Sequence, residues 1–152
     1  MAHILIVDDE PALYAMLSRL LQERGHTVQG APSGEAALAA VRERRADLVL
    51  LDLHMDGMDG LETLDRLRRA VPAVPVAMIT AFGDVGSAVT AMKRGAIDFF
   101  AKPFDNARLL DAIDVLLAIR RGGLDRARPE AIGESEPIRD AMDLALRFAV
   151  PD

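Results

Sequence analysis

The chain has 152 residues, of which 51% are apolar and 28% charged, and this balance is typical of one globular domain with some additional sequence. Its net charge of −6 argues against binding of nucleic acid by this segment, and the lack of cysteine excludes disulfides and thiolate metal sites. No run of about eighteen apolar residues is present, and the N-terminus lacks the pattern of a signal peptide. We therefore expect a cytoplasmic protein without a membrane segment.

Five short apolar runs predict β-strands that are buried on both faces of a parallel sheet. They are His3–Val7, Thr27–Ala31, Leu48–Leu51, Val76–Ile79 and Asp98–Ala101. Amphipathic runs between them predict five helices at Pro11–Arg24, Gly34–Arg44, Leu61–Ala70, Val85–Arg94 and Asn106–Arg121. This strict alternation predicts a doubly wound α/β domain, in which functional sites form at the carboxyl ends of the strands.

The sequence after Arg121 has a different character. Gly122 and Gly123 open a polar stretch that extends to Glu136, and this composition predicts a linker. The segment Pro137–Phe148 is amphipathic and predicts a further helix. We therefore divide the chain into a first domain at 1–121 and a linker with the start of a truncated output domain at 122–152.

Polar side chains follow the predicted strands at the edge where a site is expected. Asp8 and Asp9 come directly after the first strand, Asp52 after the third, Thr80 after the fourth and Lys102 after the fifth. A single such residue is usually a turn or cap residue, but here each one falls at a strand end. Three clustered carboxylates repel one another and need a cation, and oxygen ligands with open positions suit Mg²⁺. A carboxylate beside Mg²⁺ and a lysine can attack a phosphoryl donor, and Asp52 is the candidate nucleophile.

The stretches ILIVDDEP, DLVLLDLHMDGMDGLE, PVAMITAFGD and GAIDFFAKPFD resemble the receiver domains of two-component response regulators over about residues 3 to 121. The resemblance implies a flavodoxin-like fold with strand order 2-1-3-4-5. It implies that a histidine kinase transfers a phosphoryl group to Asp52. Asp8, Asp9 and the backbone carbonyl of His54 match the positions that hold Mg²⁺ together with Asp52.

Three further positions match residues of the phosphorylated pocket and its switch. Thr80 matches the hydroxyl that closes onto the phosphoryl group, and Lys102 matches the lysine of the pocket. Phe99 matches the aromatic residue that changes rotamer. The expected signal is an inward movement of Thr80 and Phe99, which reshapes the surface of the fourth helix, fifth strand and fifth helix.

One position departs from the family pattern. Asp56 stands four residues after the acceptor, where family members often have proline, so the geometry of this loop and its metal affinity are open questions. The imidazole of His54 is a candidate transition-metal ligand, but we favour a solvated side chain for an isolated histidine on a loop.

The end of the chain, AIGESEPIRDAMDLALRFAVPD, resembles the opening of the ATPase domain of NtrC-type activators of sigma-54 RNA polymerase. The chain has no G-x-x-x-x-G-K-[ST] loop, so we expect no ATP hydrolysis and no enzymatic activity beyond phosphorylation and dephosphorylation of Asp52. The expected partners are a sensor histidine kinase and a second copy of the chain. DNA and sigma-54 RNA polymerase would be contacted through domains outside this sequence.

Four alternative functions differ in how well these residues fit them. A stand-alone receiver that acts through protein contacts remains an alternative. A haloacid dehalogenase-like phosphotransferase needs an Asp-x-Asp motif after the first strand, which Asp8-Asp9-Glu10 does not supply. A flavin-binding module would place its phosphate beside these same carboxylates, which repel it. A pseudo-receiver is disfavoured because every matching pocket residue is present.

Overall fold

The computed structural model describes residues 2–55, 57–81 and 84–126. Clustering of the backbone separates the chain into two compact units, Met1–Lys102 and the residues from Pro103 onward. The first unit contains all the strands and four of the helices, and the second contains the fifth helix. Every candidate site residue therefore lies in the first unit.

The described elements alternate strictly between strand and helix along the chain. The strands are β1 His3–Val7, β2 Thr27–Ala31, β3 Leu48–Asp52, β4 Val76–Thr80 and β5 Asp98–Ala101. The helices are α1 Pro11–Glu23, α2 Gly34–Glu43, α3 Gly60–Ala70, α4 Val85–Lys93 and α5 Asn106–Arg126. These bounds agree with the predicted ones to within a residue, except at the end of α5.

All five strands pair in parallel in the order β2-β1-β3-β4-β5, which confirms the predicted fold. Every residue of β1, β3 and β4 is buried, as expected for central strands covered on both faces. The edge strand β2 is only partly buried and carries the polar residues Thr27 and Gln29. Parallel register places Val7 opposite Leu51, so the residues that follow β1 and end β3 are neighbours.

Local sequence signals explain where the helices begin. Proline occupies the first turn of α1, where its missing N–H costs no hydrogen bond. Ser33 caps α2 by accepting from the N–H of Ala36 at 3.1 Å, and Asp59 caps α3 by accepting from the N–H of Glu62 at 2.9 Å. These caps define the helix ends nearest the carboxyl edge of the sheet.

The end of α5 differs from our prediction. We expected the glycine pair Gly122-Gly123 to end the helix at Arg121, but the helix continues to Arg126. A glycine inside a helix costs only about 1 kcal/mol relative to alanine, and the long helix that precedes the pair supports its continuation. The predicted linker from residue 122 to Glu136 therefore starts within this helix, and the predicted last helix, Pro137–Phe148, lies outside the described residues.

The α5 helix of the second unit has both buried and exposed apolar side chains. Leu109, Ile113 and Leu116 recur at helical spacing and are buried. Val115 and Ile119, four residues apart, are 56% and 55% exposed. In the part of the chain that the structure describes, no helix combines the length and the apolarity that crossing a bilayer requires.

Candidate functional site

Three carboxylates meet at the carboxyl edge of the sheet. Asp52 is the last residue of β3, and Asp8 and Asp9 follow β1 directly. One oxygen atom of each residue lies within 4.8 Å of the others. Asp8 and Asp52 are only 5% and 4% exposed, whereas Asp9 is open to solvent. The structure thus brings together the three acidic residues that the sequence placed at separate strand ends.

Backbone hydrogen bonds hold this acidic pocket, which we define as Asp8, Asp9 and Asp52. The N–H of Asp8 donates to Ala31 O at 3.0 Å, and the N–H of Leu53 donates to Ile79 O at 2.9 Å. Hydrogen bonds between backbone groups therefore fix the positions of these two strand ends. Asp8 Oδ1 accepts from the N–H of Glu10 at 2.8 Å, while its buried Oδ2 has no hydrogen-bond partner among the described residues.

The electrostatics of the acidic pocket are unfavourable for its own charges. Burial, together with the charges of Asp52 and Glu10, raises the pKa of Asp8 from 3.8 to about 6. Burial also raises the pKa of Asp52, helped by the charge of Asp9. Two groups oppose each rise in pKa. They are the N–H of Glu10 and the charge of Lys102 at Asp8, and the N–H of His54 and the charge of Lys102 at Asp52. The fold therefore concentrates negative charge that a bound cation would stabilise.

The two groups predicted after β4 and β5 lie beside this pocket. Thr80 is the last residue of β4 and is 1% exposed. The N–H of Lys102 donates to Thr80 O at 2.9 Å, so the two residues are linked directly through the backbone. Lys102 Nζ lies 3.8 Å from Glu10 Oε1, a pairing that the sequence did not indicate.

Phe99 lies in β5 opposite Met78 and is 3% exposed. Its ring is therefore packed rather than solvated in this structure. His54 follows the third strand, and its N–H donates to Asp52 Oδ1 at 3.1 Å. Asp56 lies outside the described residues.

Residues 4–114, which are well over half of the chain, match the family described as the response regulator receiver domain. The chain belongs to the response regulator receiver family. The transcriptional regulatory protein GlrR of Escherichia coli (strain K12) is 36% identical over 137 residues, which make up 90% of this receiver chain and 31% of GlrR. That match is longer than the family span, so it extends beyond residues 4–114.

Solved structures agree with this assignment. The receiver domain of NtrX from Brucella abortus matches with a TM-score of 0.73 and 38% identity, covering 76% of this chain and 98% of that one. NtrX of the same organism in complex with ADP matches with a TM-score of 0.80 and 35% identity, covering 88% of this chain and 31% of that one. The resemblance to NtrC-type response regulators is confirmed. This receiver chain spans about a third of the length of these longer relatives.

The side chain of His54 makes a contact that sequence reasoning missed. Its Nε2 lies 2.6 Å from Asp84 Oδ2, while the side chain is 60% exposed, in keeping with the solvated imidazole that we favoured. The hydrogen bond from His54, with a second one from Ser87, lowers the pKa of Asp84. Asp84 also caps α4, because its Oδ1 accepts from the N–H of Ser87 at 3.4 Å. An aspartate directly before a predicted helix is a cap signal, but nothing in the sequence indicated its histidine partner.

Gly60 is a second residue that the sequence did not single out. A Cβ atom at this position would lie 2.5 Å from the carbonyl oxygen of Asp52 and 2.5 Å from Leu53 Cα. The first turn of α3 therefore approaches the end of β3 so closely that only glycine fits without a shift of backbone. The N–H of Gly60 also donates to Leu53 O at 3.1 Å. Gly60 thus helps to fix the backbone that carries Asp52.

A cleft of about 340 Å³ opens beside Asp9 in this receiver. It is lined by Asp9 and by side chains from the loop after β3 and the starts of α3 and α4. These side chains are Leu53, His54, Met55, Asp59, Leu61 and Ser87. The cleft gives solvent and small molecules a route to the exposed side of the acidic pocket.

Proposed function

We propose that this receiver accepts a phosphoryl group on Asp52 from a sensor histidine kinase and uses it to control an output domain. The observation that supports Asp52 best is its position as a buried carboxylate within 4.8 Å of Asp8 and Asp9. Burial raises the pKa of both Asp8 and Asp52, and the positive charge of Lys102 offsets part of each rise. A buried, crowded carboxylate beside a lysine suits nucleophilic attack on phosphorus better than it suits a structural role.

The proposed chemistry is a single phosphoryl transfer. An oxygen of ionised Asp52 forms a bond to phosphorus, and the bond from phosphorus to the donor histidine nitrogen breaks. The electron pair of that bond stays on the imidazole, which takes a proton from solvent. Lys102 and the N–H of His54 favour the ionised form of Asp52, which is the form that attacks. In dephosphorylation, a water oxygen forms a bond to phosphorus, the bond from phosphorus to the Asp52 oxygen breaks, and inorganic phosphate leaves as the Asp52 carboxylate is restored.

The donor set of the acidic pocket fits Mg²⁺. All its ligand atoms are oxygens, and the buried Asp8 Oδ2 lacks any other partner among the described residues. We propose that Asp8, Asp9, Asp52 and the backbone carbonyl of His54 hold the ion. When bound, Mg²⁺ would neutralise charge on the phosphoryl oxygens and on the carboxylates.

The proposed switch begins at Thr80. Its hydroxyl donates to a phosphoryl oxygen on Asp52, and its backbone link to Lys102 carries the movement to the end of β5. Phe99 then changes rotamer. Because Phe99 is already 3% exposed, this change is a rearrangement between two packed positions and not the burial of an exposed ring.

The output of the full protein is a separate proposal. We infer that residues 1–121 form the receiver and that 122–152 lead into an ATPase domain of a sigma-54 activator, through which DNA and RNA polymerase are contacted. The relative GlrR is named a transcriptional regulatory protein, and NtrX was crystallised with ADP. The net charge of −6 supports a receiver that does not grip DNA itself. The exposed pair Val115 and Ile119 supports homodimer formation through α5.

Intact-mass spectrometry with acetyl phosphate and Mg²⁺ tests the acceptor. The wild-type chain should gain the mass of one phosphoryl group, and Asp52→Asn should gain none. Asp65→Asn, which changes an exposed helical aspartate, is the matched control and should be modified like the wild type. Modification of Asp52→Asn to the wild-type extent would refute the assignment.

Size-exclusion chromatography with beryllofluoride, which mimics a phosphoryl group on aspartate, tests the oligomer. A change in the dimer population that is lost in Asp52→Asn would support phosphorylation-controlled dimerisation. An unchanged elution volume, despite a mass increment with acetyl phosphate, would contradict dimerisation of this fragment as its output.

A further inference from the structure

The side chain of His54 connects two segments of the receiver that lie far apart in the sequence. We propose that the hydrogen bond between His54 and Asp84 ties the first turn of α4 to the acceptor loop, residues 53–55, and opposes the rearrangement that follows phosphorylation. The inference rests on the proposed phosphorylation of Asp52 and identifies two positioning residues that set how readily it switches the receiver. It runs from the loop after β3 to α4, and so differs from the route through Thr80 to β5.

The contact at Asp84 is the stronger of the two that this carboxylate makes. Its Oδ2 lies 2.6 Å from His54 Nε2, whereas its Oδ1 is 3.4 Å from the N–H of Ser87. A hydrogen bond of 3.4 Å is close to the limit of a useful interaction, while one of 2.6 Å is at the short end of the range for hydrogen bonds to a carboxylate. The first turn of α4 is therefore held by the acceptor loop as well as by its own cap.

The other end of the connection reaches the acceptor itself. The N–H of His54 donates to Asp52 Oδ1 at 3.1 Å. When Asp52 carries a phosphoryl group, the charged phosphoryl oxygens compete with Asp52 Oδ1 as stronger acceptors for this N–H, which turns toward them. The His54 peptide then shifts, and its imidazole shifts with it.

A short hydrogen bond tolerates little displacement. A shift of about 1 Å would take the 2.6 Å contact out of the range in which hydrogen bonds contribute. The tie is thus strongest in the arrangement seen here and is weakened by occupation of Asp52. Removing either partner should lower the cost of the rearrangement and make the phosphorylated form easier to reach.

The partners can be removed without damage to the helix cap or the loop backbone. Asp84→Ser keeps an N-cap residue but is too short to reach His54, and His54→Ala keeps the N–H and carbonyl of the loop. The control is Asp65→Asn, which breaks the exposed 3.1 Å pair between Asp65 and Arg94, at the other end of α4. This control pair joins α4 to α3 and does not touch the acceptor loop.

The measurement is the affinity of the 152-residue chain for beryllofluoride at saturating Mg²⁺, followed by amide shifts in NMR spectra. Asp84→Ser and His54→Ala should each raise the affinity about two- to fivefold, as expected from loss of one partly exposed pair. The double variant should gain no more than either single variant, since both remove the same contact. Asp65→Asn should bind like the wild type.

The outcomes separate this inference from the function on which it rests. Unchanged or weaker binding in both single variants, or effects that add in the double variant, would overturn the tie while phosphorylation of Asp52 stands. A mere loss of fold stability cannot raise affinity, so tighter binding points to the tie. If the wild type binds no beryllofluoride, or Asp52→Asn binds it equally well, the proposed function fails and the tie fails with it.

Discussion

The polar groups at the amino ends of the strands are paired, whereas those at the carboxyl ends are not fully paired. We call these two ends the amino edge and the carboxyl edge of the sheet. At the amino edge, the buried His3 donates its N–H to Asp47 Oδ2 at 2.9 Å, and its ring nitrogens lie 2.9 Å from Thr27 Oγ1 and 3.3 Å from Gln29 Oε1. At the carboxyl edge, the buried Asp8 leaves one oxygen without a hydrogen-bond partner and faces a second carboxylate. One edge is arranged for stability, and the other stores unfavourable charge for a ligand to stabilise.

The comparison implies that substitutions at the two edges should separate stability from function. At the amino edge, a change should lower the free energy of unfolding and leave phosphorylation intact. At the carboxyl edge, removal of charge should do the reverse. The predictions below test this separation, beginning with the largest expected effect.

Gly60→Ala should affect both properties, because the added Cβ meets the backbone of Asp52 and Leu53 at 2.5 Å. Neither contact can be relieved by a side-chain rotation, so we expect a loss of about 3 kcal/mol in the free energy of unfolding. Phosphorylation by acetyl phosphate should also slow, because Asp52 is displaced. Urea denaturation and intact-mass time courses measure the two effects. Gly86→Ala, where the new Cβ meets nothing within 4 Å, is the control and should show neither loss.

Asp8→Asn should stabilise the protein in the presence of a chelator by roughly 2 kcal/mol, because it removes a buried charge from the pocket. The pKa of Asp8 is raised from 3.8 to about 6, so its contribution to stability is complete below about pH 4 and is lost as the pH rises through 6. The wild type should therefore lose stability over this range more steeply than Asp8→Asn. Mg²⁺ should stabilise the wild type and have little effect on the variant.

Thermal unfolding from pH 4 to 7, with chelator or with Mg²⁺, measures this difference. Asp47→Asn is a suitable control, because Asp47 is an aspartate at the amino edge that already accepts a hydrogen bond from His3. It should not be stabilised. Equal pH profiles for the wild type and Asp8→Asn would show that the acidic pocket stores no unfavourable charge.

His3→Leu tests the amino edge. It should lower the free energy of unfolding by about 1 kcal/mol, because Thr27 and Gln29 each lose a partner at a partly buried position. Phosphorylation of Asp52 should proceed at the wild-type rate. His26→Leu, a change at another partly buried histidine, compares the cost of removing a ring whose Nδ1 accepts from the N–H of Ala2 at 3.2 Å. A strong loss of phosphorylation in His3→Leu would mean that the two edges are coupled.

Most of the fold could be predicted because its signals are local. Short apolar runs and helix caps mark the elements, and the residues at strand ends must meet when the strands are parallel. The end of α5 was missed because the two glycines that were expected to end the helix are tolerated within it. A helix-breaking residue raises the free energy of the helix, and the helix continues where its other residues offset that increase.

The parts of the site that could not be predicted depend on distances across the fold. His54 and Asp84 are 30 residues apart, and no periodicity relates them. The need for glycine at residue 60 arises from how closely α3 approaches β3, which only the coordinates show. Likewise, Glu10 could be read as part of an acidic run, but its pairing with Lys102 depends on the shape of the loops.

That last pairing gives the smallest predicted effect. Glu10 is 58% exposed at its side chain, and its Oε1 lies 3.8 Å from Lys102 Nζ, so Glu10→Gln should change the free energy of unfolding by less than about 0.5 kcal/mol. Because Glu10 also raises the pKa of Asp8, its neutralisation should lower that pKa slightly and free Lys102 for the pocket. We therefore expect phosphorylation by acetyl phosphate at the wild-type rate or up to about twofold faster at low salt, with the difference disappearing at high salt. Slower phosphorylation in Glu10→Gln would instead show that Glu10 positions Lys102 for phosphorylation. The amine would then depend on its contact with Glu10 for its place at the carboxyl edge.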